Sequence, residues 1–222
     1  MVGGRISLRI MPPPNNPNSL PRLELVIAST NFNKVREYRE MLKSIPHLDL
    51  LSLSDFPDYR PPEETGATFE ENANLKAEHA AKAIQRWVLA DDSGLIVPAL
   101  NGEPGIRSAR YAGNDASDLD NRKKLLEAMQ HLMEDDRQAF FECSIALSSP
   151  AGMKRSVKGI CEGTLLPKER GRGGFGYDSL FVKHGYSKTF AELEESIKNR
   201  ISHRRKALDK LLPSLQSLLT SE

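Results

Sequence analysis

The chain has 222 residues, enough to bury one sizeable core and too few for three domains. Lysines and arginines number 31 against 30 acids, a formal net charge of +1, so no global field draws the chain to nucleic acid or to an anionic membrane, and any phosphate binding must be local. No apolar run reaches the roughly 18 residues that span a bilayer, and Cys143 and Cys161 lack CxxC or metal-ligand spacing, which points to two buried thiols in a reducing compartment and to a cytoplasmic location.

The first stretch, "MVGGRISLRIMPPPNNPNSL", has no continuous apolar segment of the signal-peptide kind and too little apolar surface to offset its ordering entropy. Residues 1–21 are therefore expected to form a disordered, dispensable tail before a domain over 22–222. "LELVIAS" predicts a strand. In "KVREYREMLKSI", Val35, Tyr38, Leu42 and Ile45 recur at helical spacing. The loop between them, "STNFNK", thus lies at a helix N-terminus, where free N–H groups and the dipole favour an anion and Lys34 adds a point charge. The same composition also suits an ordinary helix cap.

A proline-containing connection over 55–64 leads to "TGATFEENANLKAEHAAKAI". Thr68 and Glu71 have the spacing of a capping box, and Phe69, Ala73, Ala77, Ala80 and Ile84 make one apolar stripe, so a second helix is predicted. Of the acids here, Glu63, Glu64, Glu70 and Glu71, most suit a solvated helix start, and one can complete a metal site. "WVLA" and "LIVPAL" then read as two strand segments around a turn, Asp91-Asp92-Ser93-Gly94. One capping aspartate would explain such a turn. Two neighbouring carboxylates beside an apolar run repel each other, however, and a hard divalent cation would relieve that repulsion.

"NGEPGIRSARYAG" predicts a loop and "DASDLDNRKKLLEAMQHLM" a third helix, with Leu119, Leu126, Met129 and Met133 aligned. From Gln138 the period becomes two, through Phe141, Cys143, Ile145 and Leu147, and "KRSVKGICEGTL" after the "SPAG" turn predicts a hairpin partner. "GRGGFGYDSLFV" enters a further strand. Its Phe175 and Tyr177 offer π faces for a base, while Asp178 and nearby backbone groups can bond a purine edge. Thr189 and Glu192 predict a short capped helix, and Ser202 caps a terminal helix carrying Ala207, Leu208, Leu211, Leu215 and Leu218, kinked by Pro213. "SHRRK" suits a basic helix start and equally a set of donors for base or phosphate. Alternating strands and helices followed by a hairpin give an α/β class with a mixed sheet in two lobes. There is no Walker loop, no DxDx[TV] spacing, and no recognisable Cys-His or Ser-His-Asp arrangement.

Six stretches, "ASTNFNKVRE", "ETGATFEENANLKAEHAA", "ADDSGL", "GEPGIRSARYAG", "GGFGYD" and "ISHRRKAL", run in order from about residue 25 to about residue 212. Together they resemble the inosine triphosphate pyrophosphatases. The resemblance implies hydrolysis of ITP, dITP and XTP to the monophosphate and pyrophosphate, which keeps deaminated purines out of nucleic acids. It also implies an elongated mixed sheet with flanking helices, two lobes around a central cleft, a homodimer and dependence on Mg²⁺. Carried over by position, Ser29, Thr30, Asn31, Phe32, Asn33 and Lys34 form the triphosphate loop. Asp92 is the general base and a metal ligand, Ser93 touches substrate, and Glu64 is the second metal carboxylate. Asp91 either tunes Asp92 or shares the metal. Phe175, Gly176, Tyr177 and Asp178 hold the base, and Lys198, His203 and Arg204 contact base or phosphate, with donors near His203 and Arg204 suited to a 6-oxo group. Two positions depart from the pattern: Ser179, where proline is usual and whose presence is expected to loosen the base loop, and Arg107, where an aromatic is expected. Two rivals are kept: a pyrophosphatase of modified pyrimidine or ordinary nucleotides, and a non-catalytic nucleotide- or RNA-binding protein.

Overall fold

The computed structural model describes residues 22–220, so the expected tail over 1–21 lies outside them. Within these residues six strands form one mixed sheet, in the order β2-β1-β3-β4-β5-β6. β1 (Leu23–Ile27) lies parallel to both β2 (Leu48–Ser52) and β3 (Trp87–Ile96). β3, β4 (Gln138–Ser149), β5 (Gly152–Leu165) and β6 (Phe181–Lys183) then pair antiparallel. The helices are α1 (Phe32–Leu42), α2 (Phe69–Ile84), α3 (Asp118–Ala128), α4 (Glu195–Ile201) and α5 (His203–Thr220). Among the described residues, no helix is long and apolar enough to cross a membrane.

Side chains alternate between the two faces of a strand, and the core follows that rule. Leu23, Leu25 and Ile27 of β1, with Leu89 of β3, pack under α1 and α5, whose Tyr38, Leu42, Leu208, Leu211 and Leu215 are fully buried. Val26, Val88 and Ala90 point the other way, onto the alanine face of α2. Because both faces of the sheet are covered, β4 buries Ser144, Ala146 and Ser148 as well as the predicted Cys143, Ile145 and Leu147. A second core, around Leu95, Phe141, Cys161, Phe181 and Phe190, fills the other lobe. Both cysteines are free and buried, as expected.

Several local expectations are corrected. β2, built from "LDLLS", has no counterpart in the sequence reading, because only five residues carry its pattern. The predicted turn at Asp91-Asp92 is instead the middle of one ten-residue strand, with Asp91 opposite Ile145 and Asp92 opposite Ser144. α3 buries Asn121 and Leu125; of the predicted stripe Met129 is fully buried and Leu126 packs against the second core, but Leu119 and Met133 stay 46% and 74% exposed. Thr189 and Glu192 do bond reciprocally, but around a turn; the helix begins six residues later, at Glu195.

Candidate active site

One cavity of about 560 Å³ opens between the lobes, within the range of small-molecule sites. Its floor is the middle of β3. Because successive strand residues face opposite ways, Asp91 points to the α1 and α5 side and Asp92 to the α2 side. The two acids therefore have separate partners. Asp91 Oδ2 lies 3.0 Å from Lys34 Nζ and 3.5 Å from Arg204 Nε, and Ser93 Oγ donates to it at 3.2 Å. Burial alone would raise this carboxyl, but the Lys34 and Arg204 charges hold it well below the ordinary carboxylate range. Asp92 Oδ2 accepts from Asn72 Nδ2 at 3.1 Å and its Oδ1 from Lys76 Nζ at 3.3 Å. Here burial prevails and lifts the carboxyl above its ordinary value. The repulsion argument for a metal is thus corrected: each carboxylate carries its own counter-cation. Burial and the Asp91 charge also push the neighbouring Cys143 thiol up to about 12, which leaves it protonated and inert.

Glu64 sits on the Asp92 side. Lys76 Nζ bridges the two, at 2.9 Å from Glu64 Oε1, and Arg110 Nη1 donates to Glu64 Oε2 at 3.1 Å. Burial would raise the Glu64 carboxyl, yet Lys76 and Arg110 bring it below normal. Glu71 is spent on the start of α2, where it accepts from Ala67 N. Among the described residues, no three His, Cys, Asp or Glu side chains converge as a ready metal cage.

Ser29, Thr30, Asn31 and Lys34 line the cavity, as does Ser93. Phe32 and Asn33 do not. Phe32 is 72% exposed and faces an adjoining groove instead. The N-terminus of α1 is also less open to an anion than a bare helix start, because Asn31 Oδ1 already accepts from the N–H groups of Asn33 and Lys34 at 2.9 and 3.2 Å.

On the opposite wall, Phe175, Gly176, Tyr177 and Asp178 all reach the cavity. Their roles divide. Phe175 is half-buried, with Lys198 Nζ 4.6 Å from its ring centre. Tyr177 belongs to the second core and donates to Ser108 O at 2.8 Å. Asp178 is committed to Lys198 Nζ and to the Phe175 N–H at 3.0 Å, so it braces the loop rather than presenting a free acceptor. Ser179 is tied down through its hydroxyl to Glu169 at 2.9 Å, against the loosening expected there, and Arg107 is exposed outside the cavity.

Lys198 and Arg204 come together through Glu37, which α1 sends into the space between them: it pairs with Lys198 at 2.8 Å and with Arg204. Against those charges burial still leaves the Glu37 carboxyl below its usual value. Arg204 also donates to Ser93 Oγ at 3.1 Å. His203 stacks on Phe141 at 4.7 Å, and burial with the Arg204 and Lys198 charges keeps its imidazole neutral. α5 can place these groups because it rests directly on β5: a Cβ on Gly159 would come within 2.3 Å of His203 O and Ala207 N. Glu37, Asn72, Lys76 and Arg110 are the site residues that sequence reasoning missed. The available signal was faint: Asn72 and Lys76 share one side of α2 at i,i+4 spacing, and Glu37 is a charge beside the apolar Val35 and Tyr38.

An α/β fold whose cleft sets buried cations against two separately held carboxylates, in a cavity of this size, suits an enzyme for a phosphorylated small molecule. The comparisons agree. The Ham1 family profile matches residues 25–214. A dITP/XTP pyrophosphatase of Protochlamydia amoebophila is 58% identical over 197 residues, covering 88% of this chain and 99% of that one. The enzyme of the same name from Chlamydia abortus is 53% identical over 201 residues, 90% of this chain and 98% of that one. Among solved structures, the Ham1 protein of Staphylococcus aureus superposes with a TM-score of 0.77 at 45% identity, over 87% of this chain and 98% of that one. A HAM1 protein of Coxiella burnetii gives 0.78 at 41%, over 88% and 99%. The chain belongs to the Ham1 family.

Proposed function

We propose that this chain is a cytoplasmic, homodimeric nucleoside triphosphate pyrophosphatase that cleaves ITP, dITP and XTP to the monophosphate and pyrophosphate, with Mg²⁺ as cofactor. One observation carries the reading: Asp92, its carboxyl raised by burial, faces the same cavity as Glu64, Lys34, Arg204 and Phe175. The names of the curated relatives point to the same substrates.

Glu64 and Asp92 fit a hard divalent ion. Both offer carboxylate oxygens, and both reach one point, the Lys76 ammonium, within 3.3 Å. When bound, such an ion supplies charge neutralisation for the triphosphate and for the departing pyrophosphate. The chain supplies the rest. Asp92 orients a water and takes its proton as the water attacks the α-phosphorus. Lys34 balances phosphate charge from the α1 side, Ser93 donates to a phosphate oxygen, and Asp91 holds Lys34 and Arg204 in place without touching substrate. Phe175 stacks the base. Neutral His203 and cationic Arg204 present donors to a 6-oxo group, and adenine, with an amino group there, leaves them unpaired.

The test is pyrophosphate release from ITP, XTP, GTP, ATP and dTTP at equal concentration with Mg²⁺, each repeated with EDTA. EDTA-sensitive release confined to ITP and XTP is the expected result. Equal turnover of GTP or dTTP would discard the purine-cleaning assignment, and no release from any of them would discard the reaction. Light scattering after size exclusion, read against the 24.7 kDa chain, checks the homodimer.

A further inference from the structure

All four carboxylate oxygens of the Glu64–Asp92 pair already have donors. Glu64 Oε1 and Asp92 Oδ1 share the Lys76 ammonium at 2.9 and 3.3 Å, Glu64 Oε2 accepts from Arg110 at 3.1 Å, and Asp92 Oδ2 accepts from Asn72 at 3.1 Å. Lys76 is the one donor common to both acids, and its side chain is only 14% exposed. The charges close as well: two carboxylates face two cations, Lys76 and Arg110. A divalent ion entering this set alone would have to displace a donor or crowd against one, and would leave two uncompensated positive charges in a partly buried site, which is unfavourable. A triphosphate carries the opposite charge and brings further oxygen ligands. Arg110 and Asn72 each hold a single carboxylate, so either can stay in place while the shared position empties. Lys76 sits on a flexible four-carbon stem and can withdraw.

We propose that Lys76 is a placeholder cation: its ammonium ties Glu64 to Asp92 in the free enzyme, excludes a divalent ion in the absence of nucleotide, and yields that place when ion and triphosphate arrive together. Lys76 is a positioning residue in this sense, and the inference rests on the metal assignment of Glu64 and Asp92 made above. Its consequence is that the free enzyme does not store metal.

Mn²⁺ binding to the full chain, measured by the resonance of the free ion, tests it. Once the Mn²⁺ that the nucleotide chelates by itself is subtracted, wild type without nucleotide should bind Mn²⁺ at least tenfold more weakly than with an α,β-methylene analogue of ITP, which cannot be cleaved. Lys76→Met should bind Mn²⁺ at least tenfold more tightly than wild type without nucleotide. Equal or weaker binding by Lys76→Met overturns the proposal. Should that variant fail to fold, wild type alone decides: Mn²⁺ affinity in the free enzyme within a factor of two of that with the analogue overturns it too. A Glu64→Gln change separates the two claims. If it abolishes Mn²⁺ binding with the analogue while Lys76→Met matches wild type, only the placeholder role falls; if Mn²⁺ still binds tightly, the metal assignment itself falls.

Discussion

Replacing Asp92 by Asn preserves shape but removes the charge and the proposed base, whereas the same change at Asp91 leaves Lys34 and Arg204 short of a buried counter-charge. The two variants should fail differently. Asp92→Asn is expected to lower kcat by about 10²–10⁴-fold with a near-native melting curve. Asp91→Asn is expected to lose about 3–5 kcal/mol of stability, read by chemical denaturation, since it removes the buried partner of Lys34 and Arg204. A stable, inactive Asp91→Asn beside an active Asp92→Asn would reverse the assignment. His203 sets a pH limit of its own. Its folded pKa lies well below the ordinary value of 6.5, so the unfolded chain takes up a proton that the folded chain refuses. Stability from this group is complete above pH 6.5 and falls as the pH drops below it. The Tm of His203→Gln should therefore decline less than that of wild type between about pH 6.5 and 5, and parallel declines would show that His203 titrates normally. At this scale the sequence carried residue types but not directions. "ADDSGL" displayed two acids; only the pleat reveals that they face opposite sides of the sheet.

At the scale of elements, the glycine in that motif has a separate task. A Cβ on Gly94 would lie 2.4 Å from Ser108 Oγ and 2.6 Å from Gly105 O, so the turn over Gly105–Arg110 can close on β3 only because the side chain is missing. That turn delivers Arg110 to Glu64 and Ser108 to both Leu95 N and Tyr177. Gly94→Ala should cost about 1–3 kcal/mol through overpacking and should also reduce turnover of ITP, measured together by denaturation and initial rates. Loss of neither would show that the turn shifts freely. Long elements with a clear period were legible: α2, the β4–β5 hairpin and α5 stand where their patterns predict them. Short ones were legible unevenly: β1 and β6 stand where "LELVIAS" and "GRGGFGYDSLFV" predict strands, whereas the five-residue β2, which exists through its pairing with β1, has no counterpart in the reading. The α3 stripe holds at Leu126 and Met129 but not at Leu119 or Met133, and toward the 105–112 loop the helix sets Asn121, a hydrogen-bonding wedge at Ala112 N and Ala109 O, rather than a further apolar side chain.

Across the whole molecule, the lobes are not independent. β3 contributes Leu89 to one core and Leu95 to the other, β4 contributes Cys143 and Phe141, and β5 contributes Val157 and Cys161. Three continuous strands thus cross the cleft, and thermal unfolding should be a single transition with coincident calorimetric and circular-dichroism midpoints. Two separated transitions would mean that the lobes melt alone. The mixed-sheet class was readable from the order of the patterns, but the cleft was not, since it is made where α1, β3, the 175–178 loop and α5 meet from distant parts of the sequence. α5 carries one more implication, for heritable variation rather than for chemistry. From Leu215, locked in the first core, to Arg204 at the cleft, the helix spans about 16 Å at its usual rise. A tilt of about 5° at the buried end would carry the guanidinium by more than 1 Å, a displacement of the size that alters catalysis about 100-fold. Alleles that change which purine is cleaned from the nucleotide pool should therefore arise at Leu211 and Leu215, in a lineage whose cleft residues are all intact.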